Sequence, residues 1–62
     1  MTIDNKVYQG EQGQTEFNEM VNQAMVNGVR EFTFNNCHLV GVNTCAIDIK
    51  TCDATFHQCS FR

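Results

Sequence analysis

The second half of the chain repeats with a period of five residues. When residues 32–61 are written in fives, the second position of each group is polar, and ten of the twelve first and third positions are apolar. Neighbouring side chains of an extended segment point to opposite faces, so the first and third positions share one face. A chain that turns a corner after every five residues would direct both positions inward, and four corners would close a coil of about 20 residues. The first positions are Phe32, Cys37, Val42, Ile47, Cys52 and His57, and the third are Phe34, Leu39, Thr44, Ile49, Ala54 and Cys59.

Two of these groups, Cys37–Gly41 (CHLVG) and Ile47–Thr51 (IDIKT), resemble the repeat of the pentapeptide-repeat family. In that repeat a small or apolar residue is followed by Asp or Asn, then by Leu or Phe, then by two mostly polar or small residues. Val42–Thr44 and Cys52–Ala54 match with an undersized third residue. The resemblance covers residues 32–62 and implies a right-handed, four-sided β-helix of about one and a half coils.

On the geometry that the resemblance implies, Phe34 would stack on Ala54 and Leu39 on Cys59. A competing frame, shifted by two residues, fits Ala54–Phe56 and Cys59–Phe61 better. Either the coil is irregular there, or Phe56 and Phe61 point outward and cover an end. Two copies meeting at the C-terminal end is a further alternative.

An amphipathic helix is predicted ahead of the repeats, from about Glu16 to Asn27. Thr15 is a favourable N-cap residue, Glu16 and Glu19 complement the helix dipole, and Gly28 is a typical terminator. Five apolar residues recur with a helical period. They are Phe17, Met20, Val21, Ala24 and Met25.

The chain is therefore predicted to be one α+β domain, with a capping helix and a short pentapeptide-repeat β-helix. Residues 1–14 would form a short strand around Val7 and Tyr8 and a turn at residues 10–13, residues 15–28 the capping helix, and residues 29–62 the β-helix. A chain of 62 residues buries only about 60% of the surface that its unfolded form exposes. The helix would cover one end of the apolar interior.

Charge argues against a nucleic-acid-binding module. The chain has 4 basic and 7 acidic residues, for a net charge of −3, whereas phosphate-binding modules carry basic stripes. No apolar run approaches the roughly 20 residues that span a bilayer, and no signal peptide is visible at Met1–Lys6. A cytoplasmic protein is expected. The acidic residues form the candidate partner-binding surface: Asp4, Glu11, Glu16, Glu19, Glu31, Asp48 and Asp53.

The four cysteines are expected to be small, buried, reduced side chains. They stand at positions 37, 45, 52 and 59, without the close Cys-x2-Cys pairs that zinc sites usually have. Zinc binding and disulfide or redox chemistry are the lesser alternatives. No phosphate loop, paired-carboxylate motif or helical His-Glu-x-x-His motif is present, so no catalytic residue, metal or cofactor is expected, and the protein is not expected to be an enzyme.

The resemblance also implies a function. Larger pentapeptide-repeat proteins include DNA mimics that bind gyrase, and the short chain with a helical lid is similar in size and plan to small phage-encoded anti-CRISPR proteins of type I systems. Such a protein would place carboxylates in the basic DNA-binding groove of a CRISPR effector complex and block target DNA. The expected partner is thus a protein, with no direct contact to nucleic acid or membrane.

A different class of function remains open from the same residues. The chain is alternatively a protein-interaction module or a gyrase-binding pentapeptide-repeat protein. It would be a monomer, or a homodimer joined through its C-terminal coil by apolar surface around Phe56 and Phe61. Mimicry requires the carboxylates to lie together, whereas an apolar interface does not.

Overall fold

The computed structural model describes the backbone of residues 1–49 and 52–62, and the side chains of residues 1–47 and 52–62. Asp48, one of the predicted site residues, thus has its side chain outside the described residues. The elements in chain order are β1 (Thr2–Asp4), β2 (Val7–Gln9), α1 (Gly10–Val26), β3 (Glu31–Asn35), β4 (His38–Val40), α2 (Cys45–Ile49), β5 (Asp53–His57) and β6 (Ser60–Phe61).

The strands form two open, parallel, three-stranded sheets. One sheet has the order β1-β3-β5, and the other has the order β2-β4-β6. The chain passes from the first sheet to the second at each of three corners, and returns through α1 and then through α2. The fold thus mixes helix with parallel strands, and the expected four-sided β-helix stays a prediction.

The register of the sheets corrects the expected stacking. Phe34 pairs with Phe56 rather than Ala54, and Leu39 pairs with Phe61 rather than Cys59. Successive strands of this part of each sheet are therefore 22 residues apart instead of about 20. The frame shifted by two residues is the correct one, because the segment that contains α2 is two residues longer than a regular coil would require.

The three corners are copies of one local structure. Asn5, Asn36 and Gln58 occupy equivalent positions and all have positive φ, of 57°, 54° and 54°. Asparagine tolerates this conformation better than most residues. The Asn36 side-chain amide donates to the Asn5 oxygen at 2.8 Å, and the Asn35 amide donates to Asp4 at 2.8 Å. These side-chain hydrogen bonds join the first corner to the second.

Helix α1 begins earlier than predicted. It runs over Gly10–Val26, so the predicted turn at residues 10–13 is helical, and Thr15 is an exposed helical residue rather than the N-cap. The predicted apolar stripe is confirmed, since Phe17, Val21 and Ala24 are buried and the two methionines are half-buried. Gly28 has φ of +84° just beyond the helix, which agrees with its predicted role as terminator.

Helix α2 was not predicted. The five-residue frame places extended chain over residues 42–51, but Cys45–Ile49 is helical. Helix α1 is joined to the segment before α2 by the Gln14 side chain, which accepts from the Asn43 backbone amide at 2.8 Å and donates to the Asn43 carbonyl at 3.1 Å. Helix α1 also packs against β2 and α2.

Aromatic rings form the centre of the core. Phe34 stacks on Phe56 with ring centroids 4.9 Å apart and planes 9° apart. Phe17 packs between Tyr8 and Phe34, at 5.4 Å and 5.8 Å, which attaches the helix to both sheets. All three rings are buried. Their contacts therefore stabilise the packing of α1 against the two sheets.

Candidate functional site

The structure exposes every predicted carboxylate whose side chain it describes. Among the described residues, none of these six forms an ion pair with Lys, Arg or His. They separate into two groups, one on the first sheet and one on the first helix. The sheet group is Asp4, Glu31 and Asp53, and the helix group is Glu11, Glu16 and Glu19.

The sheet group contains a close pair of like charges. Glu31 and Asp53 are register partners at the beginning of β3 and β5, where neighbouring strands lie about 4.8 Å apart. The adjacent Arg30 donates its guanidinium to the carbonyls of Met25 and Val29 instead. The amino group of Met1 likewise donates to the carbonyl oxygen of Glu31, at 2.8 Å. The register thus places the two residues side by side, and among the described residues no side chain forms an ion pair with either carboxylate.

Asp4 lies toward the opposite end of the same sheet. It pairs with Asn35, four residues along β3 from Glu31, which corresponds to about 13 Å of extended strand. Its carboxylate accepts the hydrogen bond from Asn35, so part of its capacity to accept hydrogen bonds is already used within the corner. The sheet therefore brings Glu31 and Asp53 together and leaves Asp4 apart.

Two members of the helix group border a groove between α1 and the first corner. Glu16 and Glu19 lie on its rim with Lys6, and Gln23 extends the polar side. The floor is formed by Ile3, Tyr8 and Met20, and the groove has a volume of about 390 Å³. Glu11 is in the first turn of the helix and is not among the groove residues.

Tyr8 is the functional candidate that sequence reasoning missed. Tyr8 is only 3% exposed, and the Lys6 ammonium lies over its ring at 5.8 Å from the centroid. Burial raises the pKa of the Tyr8 phenol above its ordinary value of 10.0, and the neighbouring acidic groups of Cys37 and Glu16 raise it further. The alignment of residues 2–10 with residues 33–41 would have placed Tyr8 opposite Leu39, and so inside the core.

The C-terminal strands carry the largest exposed aromatic side chain. Phe61 is 55% exposed and packs edge-on against the half-buried Phe56, with centroids 4.9 Å apart. Strands β5 and β6 are the outer strands of their sheets. Phe56 thus covers part of the core, whereas Phe61 presents its ring to the outside.

The cysteines are used in more than one way. Cys37 is fully buried and donates its thiol to the carbonyl of Ile3, while Cys59 makes the equivalent bond to Phe34 in the next corner. Cys45 is exposed and Cys52 and Cys59 are half-buried, so the expectation that all four cysteines are buried holds only for Cys37. Within the described residues no three metal-ligating side chains come together.

Comparison with known proteins gives no relative from which a role could be transferred. No protein-family profile, curated protein or solved structure matches the chain. In the part of the chain that the structure describes, no helix combines the length and apolar character needed to cross a bilayer.

Proposed function

We propose that this chain is a non-enzymatic inhibitor that offers surface carboxylates to the basic DNA-binding groove of a bacterial nucleic-acid-binding complex. The observation that carries the proposal is the Glu31–Asp53 pair. Like charges placed directly opposite each other on neighbouring strands destabilise a sheet, and a lysine or arginine from a partner would relieve that repulsion.

The carboxylates suit a protein that already binds phosphates. A groove lined with Lys and Arg attracts any rigid array of negative charge, and the contact weakens as salt screens it. The backbone of paired parallel strands already fixes the spacing between the two residues, so binding requires ordering of the side chains but not of the backbone. The short-repeat resemblance makes a type I CRISPR effector complex the first partner to test.

Charge separation limits the size of the acidic surface. The helix group belongs to α1, whereas the sheet group belongs to β1, β3 and β5. We therefore assign the DNA-mimic role to the sheet pair first, with Asp4 as a peripheral member and Glu16 and Glu19 as a second contact.

The experiment is affinity capture from bacterial lysate at about 0.1 M and about 1 M salt, where the Debye length falls from about 10 Å to about 3 Å. We expect a DNA-binding complex to be captured at low salt, released at high salt, and lost with the Glu31→Gln, Asp53→Asn double variant. Purified captured complex should then bind its target DNA more weakly when the protein is added.

Glu11→Gln is the control for charge, because it removes a carboxylate that lies on the helix outside both the sheet pair and the groove. Neutralising Glu31 and Asp53 relieves repulsion, so a loss of capture would not reflect unfolding. Capture that survives high salt or the double variant would contradict the proposal.

A second candidate function, self-association, is favoured by the exposed ring of Phe61. Two copies that meet through β5 and β6 would bury Phe61 and pair the outer edges of both sheets. Sedimentation velocity over a concentration series should then show a dimer that is insensitive to salt and lost with Phe61→Ala. A monomer at all concentrations would remove this candidate.

A further inference from the structure

The groove between α1 and the first corner combines an apolar floor with an acidic rim. Ile3 and Met20 contribute aliphatic surface, while Glu16 and Glu19 project from successive turns of the helix beside it. A side chain that fits this lining needs an apolar stem and a cationic end. Lysine and arginine are the two residues that have both.

The hydroxyl of Tyr8 supplies an independent indication of a ligand. It takes part in no hydrogen bond among the described residues, although Tyr8 is only 3% exposed and buried tyrosine hydroxyls usually have a partner. No fully enclosed polar side-chain atom of the described residues lacks a partner. The hydroxyl is therefore not fully enclosed, and since Tyr8 lines the groove, a donor bound there could satisfy it.

We propose that this groove holds an arginine side chain of a basic protein partner. The stem would lie on Met20 and Ile3, and the guanidinium would donate to Glu16, Glu19 and the Tyr8 oxygen. This inference rests on the proposed function, because it assigns Glu16 and Glu19 of the helix group as the place where one arginine of that partner docks.

Arginine suits the groove better than lysine for two reasons. The guanidinium has five donors in a planar fork and can bond several acceptors at once, whereas an ammonium is a compact point charge. Lys6 already holds an ammonium over the Tyr8 ring. It forms no ion pair with the described carboxylates, so Glu16 and Glu19 remain available. The Lys6 charge should also oppose the entry of a second cation.

The test is an NMR titration of the intact chain with N-acetyl-arginine amide, using the citrulline and lysine amides as comparisons. Citrulline keeps the shape of arginine but has no charge. We expect the arginine compound to shift the backbone amides of Ile3, Tyr8 and Met20 in a saturable manner, with weaker effects from lysine and none from citrulline. Equal binding of all three, or shifts spread over both sheets, would overturn the proposal.

Variants separate the groups that make the site. Glu16→Gln should weaken arginine binding by about two- to fivefold, as expected for a partly exposed ion pair, and Tyr8→Phe should weaken it by a similar factor. Lys6→Gln should tighten binding, because it removes the competing cation. Glu11→Gln is the matched control, since it removes one charge from the same helix outside the groove.

The same variants distinguish this inference from the proposed function. Loss of arginine binding in Glu16→Gln with lysate capture still dependent on Glu31 and Asp53 would support both. If the arginine compound fails to bind while salt-sensitive capture persists, the groove assignment is wrong and the acidic-inhibitor proposal stands. If the compound binds but no basic partner is captured, the proposed function fails and the groove remains.

Discussion

Gly13 is in helix α1 at the point where the helix meets the backbone of Tyr8. A Cβ atom at this position would lie 2.6 Å from the carbonyl carbon of Tyr8. The backbone cannot yield as a flexible side chain would, so the helix would have to move away from β2. The absence of a side chain at Gly13 is therefore what allows α1 to pack closely on the second sheet.

Gly13→Ala is expected to destabilise the protein, although alanine is the better helix former by about 1 kcal/mol. Overpacking against the Tyr8 backbone should lower the free energy of unfolding by about 1–3 kcal/mol, measured by urea denaturation. Thr15→Ala is the control on the exposed side of the same helix and should change it by less than about 0.5 kcal/mol. A stabilised Gly13→Ala variant would contradict the contact.

The Tyr8 phenol gives a prediction for alkaline pH. Burial raises its pKa in the folded protein above the ordinary value of 10.0, so the folded state holds the proton to a higher pH than the unfolded state does. The contribution of the protonated phenol to the free energy of unfolding is fully present below pH 10. It is lost as the pH rises through the pKa of the folded state. Because Tyr8 is the one tyrosine in the chain, phenolate absorbance follows it directly.

We therefore expect the absorbance midpoint to fall from above 10 in the folded protein to about 10 in urea. Glu16→Gln should lower the folded midpoint, since the Glu16 charge contributes to the shift. An identical midpoint with and without urea would show that the ring is not desolvated.

At the scale of elements, the length of each connection sets the strand register. The five-residue frame treats every coil as equal, but α1 lies between β2 and β3, while α2 lies between β4 and β5. Ile3 pairs with Phe34 over 31 residues, whereas Phe34 pairs with Phe56 over 22. A repeat of fixed length could not reveal these unequal spacings.

The observed register can be tested by a double-mutant cycle with Phe34→Leu and Phe56→Leu. Stacked rings couple by about 0.5–1.5 kcal/mol beyond their buried area, so the two changes should be non-additive by that amount in urea unfolding. The control cycle combines Phe34→Leu with Val26→Ala. Because Val26 is 83% exposed, the effects of these two substitutions on the free energy of unfolding should be additive. Additivity of Phe34 and Phe56 would support the 20-residue frame instead.

Local pattern predicted the middle of α1 but not its beginning. The stripe from Phe17 to Met25 depends only on helical spacing, and the structure buries it as expected. Gly10 and Gly13 resembled a turn, because glycine commonly marks turns. The contact of Gly13 with Tyr8 is tertiary, and no local pattern shows it.

The candidate site shows the same limit. The sequence identified Glu16, Glu19, Glu31 and Asp53 as candidates from charge alone. The pairing of Glu31 with Asp53 needed the correct register, and the groove needed Lys6 and Tyr8 to lie beside α1. The three corner segments, which begin at Thr2, Thr33 and Thr55, resemble one another in sequence. Aligning these segments with one another would have predicted this register.

At the scale of the whole molecule, the two central strands connect everything else. β3 and β4 are paired on both sides, whereas β1, β2, β5 and β6 are paired on one side. A domain of this size has a total stability of roughly 3–9 kcal/mol, so local opening of an outer strand costs only part of that total. Opening β3 separates β1 from β5 and removes Phe34 from the aromatic core, and opening β4 separates β2 from β6.

Amide hydrogen exchange measured by NMR should therefore be slowest in β3 and β4, with protection that approaches the global free energy of unfolding. The outer strands should exchange faster, β6 most of all because it has two residues. Equal protection in all six strands would show that the sheets open only as one unit, and slower exchange in β1 or β6 would contradict the strand order. A dilution series extends the test to the surface that Phe61 exposes. If a second copy covers β5 and β6, their protection should rise with protein concentration, while that of β1 and β2 stays constant.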